Sequence, residues 1–263
     1  MEPDRVCADE AFASSFSQAW RRDGWGAPNE ADRLELPWVD RSRRHVREWK
    51  VKARSLKGLF QLLDRIRPTR VVDLGCGFGW LSHILAGRGH EVYAIDLVLD
   101  EVLGLAAADV YMRAGTGFER VWGEIEHPPL RDQSVDAIIC NASLHYALDL
   151  RGTLFEIERV LRPGGFLIVM NSPVHANLDS AQRAQSDFRK RLQRFGAAEE
   201  ISSSYHHFFR DDLESTIRDV IGPVFEERFD LGRSFRLVRS LKGMAFRMQL
   251  ASFPLLYAPK KPS

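Results

Sequence analysis

Three glycines at alternate positions, Gly75, Gly77 and Gly79, follow the apolar run Val71-Val72-Asp73-Leu74 at once, and a helix opens behind them from Leu81 to Ala86. Strand, glycine loop and helix in that order make the first unit of a nucleotide-binding parallel sheet, where the backbone must approach a ligand with no Cβ in the way. The dinucleotide version needs glycine at the first, third and sixth positions. Counted from Gly75 the sixth is Trp80, so a nicotinamide or flavin ligand is not expected. Asp73 adds a sign: a carboxylate at this strand end repels a pyrophosphate and suits a ligand carrying positive charge. Titratable groups collect further on. His145 lies in Asn141-Ala142-Ser143-Leu144-His145-Tyr146, and His206 and His207 lie in Ser204-Tyr205-His206-His207-Phe208-Phe209. Imidazoles exchange protons near neutral pH, so each is a candidate base or acceptor contact. Adjacent histidines in an extended segment point opposite ways, so one of the pair is expected to face a cleft. No third ligand stands at metal-binding spacing, and no metal is expected.

S-adenosylmethionine carries both an ammonium and a sulfonium, and here the chain resembles the class I S-adenosylmethionine-dependent methyltransferases, with DLGCGFG as their first motif. The resemblance runs over about 100 residues. His90 to Asp96 reads as a second strand ending in an acid, and Asp96 lies 21 positions after Gly75, close to the spacing of an acid on ribose hydroxyls. Gly123-Glu124-Ile125 opens a segment similar to the family's GDAxxLPF, with Glu124 where Asp is usual. Ser134 to Asn141 reads as the fourth strand, and Arg159-Val160-Leu161-Arg162-Pro163-Gly164-Gly165 is similar to the RVLKPGG turn before the fifth. The resemblance implies S-adenosylmethionine as cofactor, held by Asp73, Gly75, Cys76, Gly77, Phe78, Gly79, Asp96, Leu97, Glu124, Ile125 and Asn141. It places His145 on the methyl side of the cleft, and makes His145, His206 and His207 the candidates for catalysis or acceptor contact, with His175 and Trp25 behind them.

These residues need a scaffold. Alternating strands and helices argue an α/β, doubly wound, mostly parallel seven-stranded sheet. Strands are expected near 70–74, 91–95, 118–122, 136–141, 165–170, 224–229 and 253–258, and helices near 80–87, 99–105 and 150–161. Residues 1–69 read as a helical extension. Phe12, Phe16 and Trp20 form one apolar stripe, Gly24 to Asn29 breaks it, and a second helix is expected from about Asp40 to Ile66. Related enzymes carry such an extension as a lid over the cofactor cleft; a helix packed on the sheet's back is the alternative. Residues 70–263 would be the methyltransferase domain, with 171–210 an acceptor-side insertion containing a helix from Ser180 to Phe195. Asp211-Asp212-Leu213-Glu214 resembles a capping box, Phe235 to Leu250 a last helix, and the tail from Pro259 a frayed end.

The net charge of +1 is unevenly spread, with an acidic centre between basic flanks. The acidic centre suits a cationic cofactor. Cys7, Cys76 and Cys140 give no disulfide framework, and no stretch is long enough to span a membrane, so a cytoplasmic setting is expected. Asp/Asn-Pro-Pro-Tyr does not follow the fourth strand, Cys140 lacks the preceding proline of RNA cytosine enzymes, and no RNA-binding module is appended. Methyl transfer to a small molecule is left, at oxygen first, with nitrogen or carbon behind. An RNA or protein acceptor and a non-catalytic cofactor-binding scaffold are the rival readings.

Overall fold

The computed structural model describes residues 3–25, 29–194, 205–230, 232 and 250–261. At its centre β1 (Arg70–Leu74) pairs in parallel with β2 (Glu91–Asp96) on one side and β4 (Val135–Asn141) on the other. Strand β3 (Glu119–Trp122) extends the sheet beyond β2, and β5 (Leu161–Met170) extends it beyond β4. A two-stranded parallel piece, β6 (Val174–His175) with β7 (Phe208–Phe209), stands apart. Two later strands, β8 (Phe225–Glu227) and β9 (Leu255–Pro259), finish the main sheet in the order β3-β2-β1-β4-β5-β9-β8, with β9 antiparallel to both neighbours. The expected seven strands are therefore present. Strand order reverses between β1 and β4, and a crevice at such a switch, outside the carboxyl ends, is where ligands bind open α/β sheets.

Successive side chains of a strand face opposite layers, and the central strands are apolar on both. Val71, Ile139 and Ile168 face a core with Leu56, Leu59, Leu62 and Leu63 of α3 (Val46–Ile66) and Leu81 and Leu85 of α4 (Trp80–Gly87). Val72, Ile138 and Leu167 face the other core, with Leu154 and Ile157 of α6 (Leu150–Val160) and Leu213 and Ile217 of α8 (Arg210–Val220). The carboxyl half of α3 thus belongs to the sheet's own core, while its first turns reach past the strand ends.

The remaining N-terminal helices are α1 (Pro3–Asp23) and α2 (Glu30–Glu35), and the latter was not foreseen. Asn29 caps it by accepting from the Asp32 amide. Arg33 then clamps α2 onto the chain after β2, donating to the carbonyls of Glu101 and Ala107. The second long helix begins at Val46 rather than Asp40, because the Asp40 carboxylate accepts the Ser42 and His45 amides and holds a turn there. No helix spans 99–105. Asp96 accepts the Val98 amide and Asp100 the amides of Val102 and Leu103, which hold loop turns; a 3₁₀ turn at Leu105–Ala108 and the short α5 (Asp109–Arg113) follow instead. α7 (Leu178–Arg194) starts two residues before its expected position, and Phe195 lies outside the described residues. α8 begins at Arg210 with Phe209 at its cap and no side-chain cap bond, so Asp211 and Asp212 act through charge in the first turn, not as a capping box. The tail is not frayed from Pro259: that residue ends β9, and the buried Lys260 ammonium donates to the carbonyls of Glu158 and Leu161. The helix expected over 235–250 lies almost wholly outside the described residues.

Candidate active site

The glycine loop closes against β2. The amides of Gly75 and Cys76 both donate to the Ile95 carbonyl at 2.8 and 3.0 Å, and the Gly77 amide donates to Asp96 Oδ2 at 2.6 Å. Gly75 sits at φ +72°, and a Cβ there would fall 2.4 Å from the Ser143 Cβ and 3.4 Å from Ile125. Only glycine lets the loop, the turn after β4 and the Ile125 segment meet. Ser143 fixes that junction by donating to the Leu74 carbonyl. Phe78 and Cys76 are buried, and the Cys76 thiol is pushed well up by burial, which makes it a packing residue.

Asp73 is 1% exposed. Its Oδ2 accepts from Ser82 Oγ at 2.7 Å, while Oδ1 is buried with no donor. Burial pushes its carboxyl up to about 7 against the Ser82 bond, and the charge of Asp96 adds to the rise. Asp96 is pushed up to about 6 by burial, held back by amide bonds including those of Val98 and Gly77. Leu97 offers its carbonyl to the Trp122 indole at 3.1 Å. Glu124 is partly buried, 3.8 Å from His127 Nδ1. Asn141, at the end of β4, accepts from Asn171 Nδ2 at 2.8 Å, and the same amide donates to Ser55 of α3 at 3.1 Å. The expected cofactor residues thus gather at the carboxyl ends of β1, β2, β3 and β4. The orphan oxygen and the Cβ-free cradle fit a cationic, adenosine-bearing group. Ala142 and Asn171, just past β4 and β5, take φ of +57° and +58°; such strain in a non-glycine residue is frequent at functional sites.

The side expected to face the acceptor is aromatic. His145 is 3% exposed, its Nδ1 lies 3.1 Å from Ser172 Oγ, and its ring is 4.5 Å from both Tyr146 and Tyr205. Burial, with the charges of His207 and Lys52, holds its pKa far below the ordinary histidine value. The His206 amide donates to the His145 carbonyl at 2.7 Å, which brings the two predicted stretches together. The two adjacent histidines do diverge. The His206 ring stacks toward Phe208, whereas His207 Nδ1 meets His175 Nε2 at 3.0 Å. Burial pulls His207 down to about 4. The stripe of α1 reaches this side: Phe16 lies edge-on to Tyr146 at 5.2 Å, Trp20 is 6.0 Å from Phe188 of α7, and Asp23 pairs with Arg191. Trp25 stacks on His45 at 4.0 Å.

Sequence reasoning missed Ser55, Ser82, Ser143, Asn171 and Ser172, which hold the site by hydrogen bonds, and Lys52, whose ammonium lies over the rings of Trp25, Trp49 and Trp80. Ser82 alone had a local signal, one turn into the helix behind the glycine loop.

This sheet, with its antiparallel β9 and its acid-flanked glycine loop, has the fold of the class I S-adenosylmethionine-dependent methyltransferases. Residues 72–169 match a family model described as a methyltransferase domain. The chain is 28% identical over 219 residues to the malonyl-[acyl-carrier protein] O-methyltransferase of Hamiltonella defensa subsp. Acyrthosiphon pisum, an alignment spanning 76% of this chain and 81% of that one. It is 31% identical over 179 residues to the protein of the same name from Yersinia pestis, spanning 66% of this chain and 60% of the relative. Among solved structures, the 1,6-didemethyltoxoflavin-N1-methyltransferase of Burkholderia thailandensis, with 1,6-didemethyltoxoflavin and S-adenosylhomocysteine bound, aligns with a TM-score of 0.55 at 19% identity, over 81% of this chain and 80% of that one. At that identity the likeness speaks for the fold. No helix among the described residues is long and apolar enough to cross a membrane.

Proposed function

We propose that this enzyme methylates a carboxylate oxygen on a small acyl group, of the kind its relatives take as a malonyl thioester on an acyl carrier protein. The observation that carries the reading is the state of the acceptor-side histidines. His145, His206 and His207 all have pKa values lowered, first by burial. A base so weakened removes a proton poorly from a phenol or an ammonium near neutral pH. A carboxylate needs no base, because it arrives ionised. The residues' task is then to hold, orient and exclude water, and proximity alone can supply roughly 7–11 kcal/mol of a displacement barrier. When bound, the cofactor supplies an electrophilic methyl on its sulfonium.

In this reading Asp73 takes the cofactor's ammonium, Asp96 the ribose hydroxyls and Glu124 the adenine amino group. Gly75 to Gly79, Leu97, Ile125 and Asn141 shape the cleft. His145 acts as a neutral hydrogen-bonding wall with Tyr146 and Tyr205, and His206 and His207 line the acceptor's approach. α1 serves as a lid, supported by the contacts of Phe16 and Trp20 with Tyr146 and Phe188. The setting is cytoplasmic, where thioester acceptors are made. The test is turnover: malonyl-coenzyme A and malonyl-acyl carrier protein should release S-adenosylhomocysteine, and simple phenols and amines should not. Faster turnover on a phenol or amine would overturn the reading.

A further inference from the structure

Lys52 of α3 holds its ammonium among three tryptophans beside the glycine loop. Its Nζ lies 5.0, 4.6 and 5.9 Å from the ring centroids of Trp25, Trp49 and Trp80, and Trp80 is the residue directly after the glycine loop. Ser55, one turn along the same helix, hydrogen-bonds Asn171 and through it reaches Asn141, so this face of α3 is fixed at the carboxyl ends of β4 and β5. The rings enclose the ammonium, and burial pulls Lys52 down to about 8, while the charges of Glu48 and Asp73 hold it up. Among the described residues Nζ has no carboxylate within ion-pairing distance. Asp73, near enough for each charge to stabilise the other, has an equally unanswered oxygen in Oδ1. A buried carboxylate and a half-buried ammonium, opposite in charge and incompletely satisfied, are costly by themselves. An α-amino acid zwitterion presents the complement of both.

We propose that Lys52 is the carboxylate reader of the cofactor site, so that the enzyme recognises the methionyl end of its cofactor as a zwitterion, ammonium to Asp73 and carboxylate to Lys52. The proposal rests on the cofactor-site reading above and adds a residue from outside the glycine loop. It also gives the tryptophan cage a purpose. Ring faces stabilise an ammonium without offering it a competing anion, so Lys52 stays available to the ligand.

Calorimetry on the full chain tests this with two probes. S-Adenosylhomocysteine carries the zwitterion; 5′-methylthioadenosine has the same adenosine and thioether without it. Lys52→Met keeps an unbranched apolar stem in the cage, and Lys52→Arg keeps the charge. The Met variant should bind S-adenosylhomocysteine roughly 10–100-fold more weakly, the range for a hydrogen bond to a charged group, and methylthioadenosine within about twofold of wild type. The Arg variant should recover most of the loss. Equal losses for both probes, or none for S-adenosylhomocysteine, would overturn the proposal. Should the Met variant fail to fold, wild type compared on S-adenosylhomocysteine and its carboxamide decides: similar affinities overturn the proposal, and a preference of tenfold or more for the carboxylate supports it. Failure of wild type to bind S-adenosylhomocysteine at all would instead sink the cofactor-site reading beneath it.

Discussion

Replacing Asp73 with Asn should stabilise the ligand-free protein at pH 8, and by less than half as much at pH 5. The carboxyl is pushed from its ordinary 3.8 up to about 7 because it is buried. A raised acid pKa means that the folded protein holds a proton which the unfolded chain has lost, so stability declines as pH climbs from about 4 to 7 and the cost is complete above 7. About three pH units at 1.36 kcal/mol each set a ceiling of about 4 kcal/mol. Asn keeps an acceptor for Ser82 and carries no charge, so roughly 2–3 kcal/mol should return at pH 8. Asp96, also raised, contributes a smaller total loss of the same sign, over a narrower pH window, that the variant keeps. Lys52, lowered to about 8, acts in the opposite direction and only above pH 8, outside the window. Urea denaturation of both ligand-free proteins at several pH values between 5 and 8 measures the difference. The same substitution should weaken S-adenosylhomocysteine at least tenfold, so that stability and ligand affinity move in opposite directions. A variant destabilised equally at pH 5 and pH 8 would refute the claim that Asp73 is held charged at a cost for the sake of its ligand.

Other perturbations follow from the same geometry. Asp96→Ala should cost the cofactor about 1.5–3 kcal/mol of affinity by calorimetry, with some loosening of the loop, since the Gly77 amide loses its acceptor. Gly75→Ala should abolish cofactor binding, because both the +72° φ and the 2.4 Å approach to Ser143 reject a Cβ; a variant binding within tenfold of wild type would contradict this. His145→Gln should lower kcat by less than about tenfold and leave a flat pH–rate profile between pH 6 and 8, whereas loss of a true general base is expected to cost roughly 10²–10⁴. If α1 is a lid, hydrogen exchange over residues 12–25 should slow when S-adenosylhomocysteine binds; protection already complete without ligand would mark α1 as a fixed part of the core.

Much of the cofactor side was legible because its signals are local. Asp73, the three alternate glycines and Asp96 sit at spacings that a strand-loop-helix unit imposes, and the order of the five strand motifs fixed which ends would meet. Asn141 and His145 followed from that order. Lys52, Ser55 and Asn171 could not be read in the same way. Lys52 meets tryptophans on three separate segments, and the Asn171–Ser55 bond, which joins a helix before β1 to the turn after β5, spans 116 positions. His207 was visible as a candidate, but its pairing with His175, 32 positions away, was not. The mistaken helix at 99–105 is a different kind of error. The deciding signals were local: Asp96 offers a side-chain acceptor to the amide two residues on and Asp100 to those two and three residues on, and these turns compete with helix. Asn29 was a helix start within reach, passed over because the glycines before it read as a break.

The most direct test of the account is where the methyl goes. S-Adenosylmethionine labelled in its methyl group should pass the label to malonyl thioester, and the labelled product should be a methyl ester, released as methanol by mild alkali. Label retained on the acceptor through alkali, as an ether, an N-methyl or a C-methyl group would retain it, or no label transferred while S-adenosylhomocysteine fails to accumulate, would contradict transfer to a carboxylate oxygen.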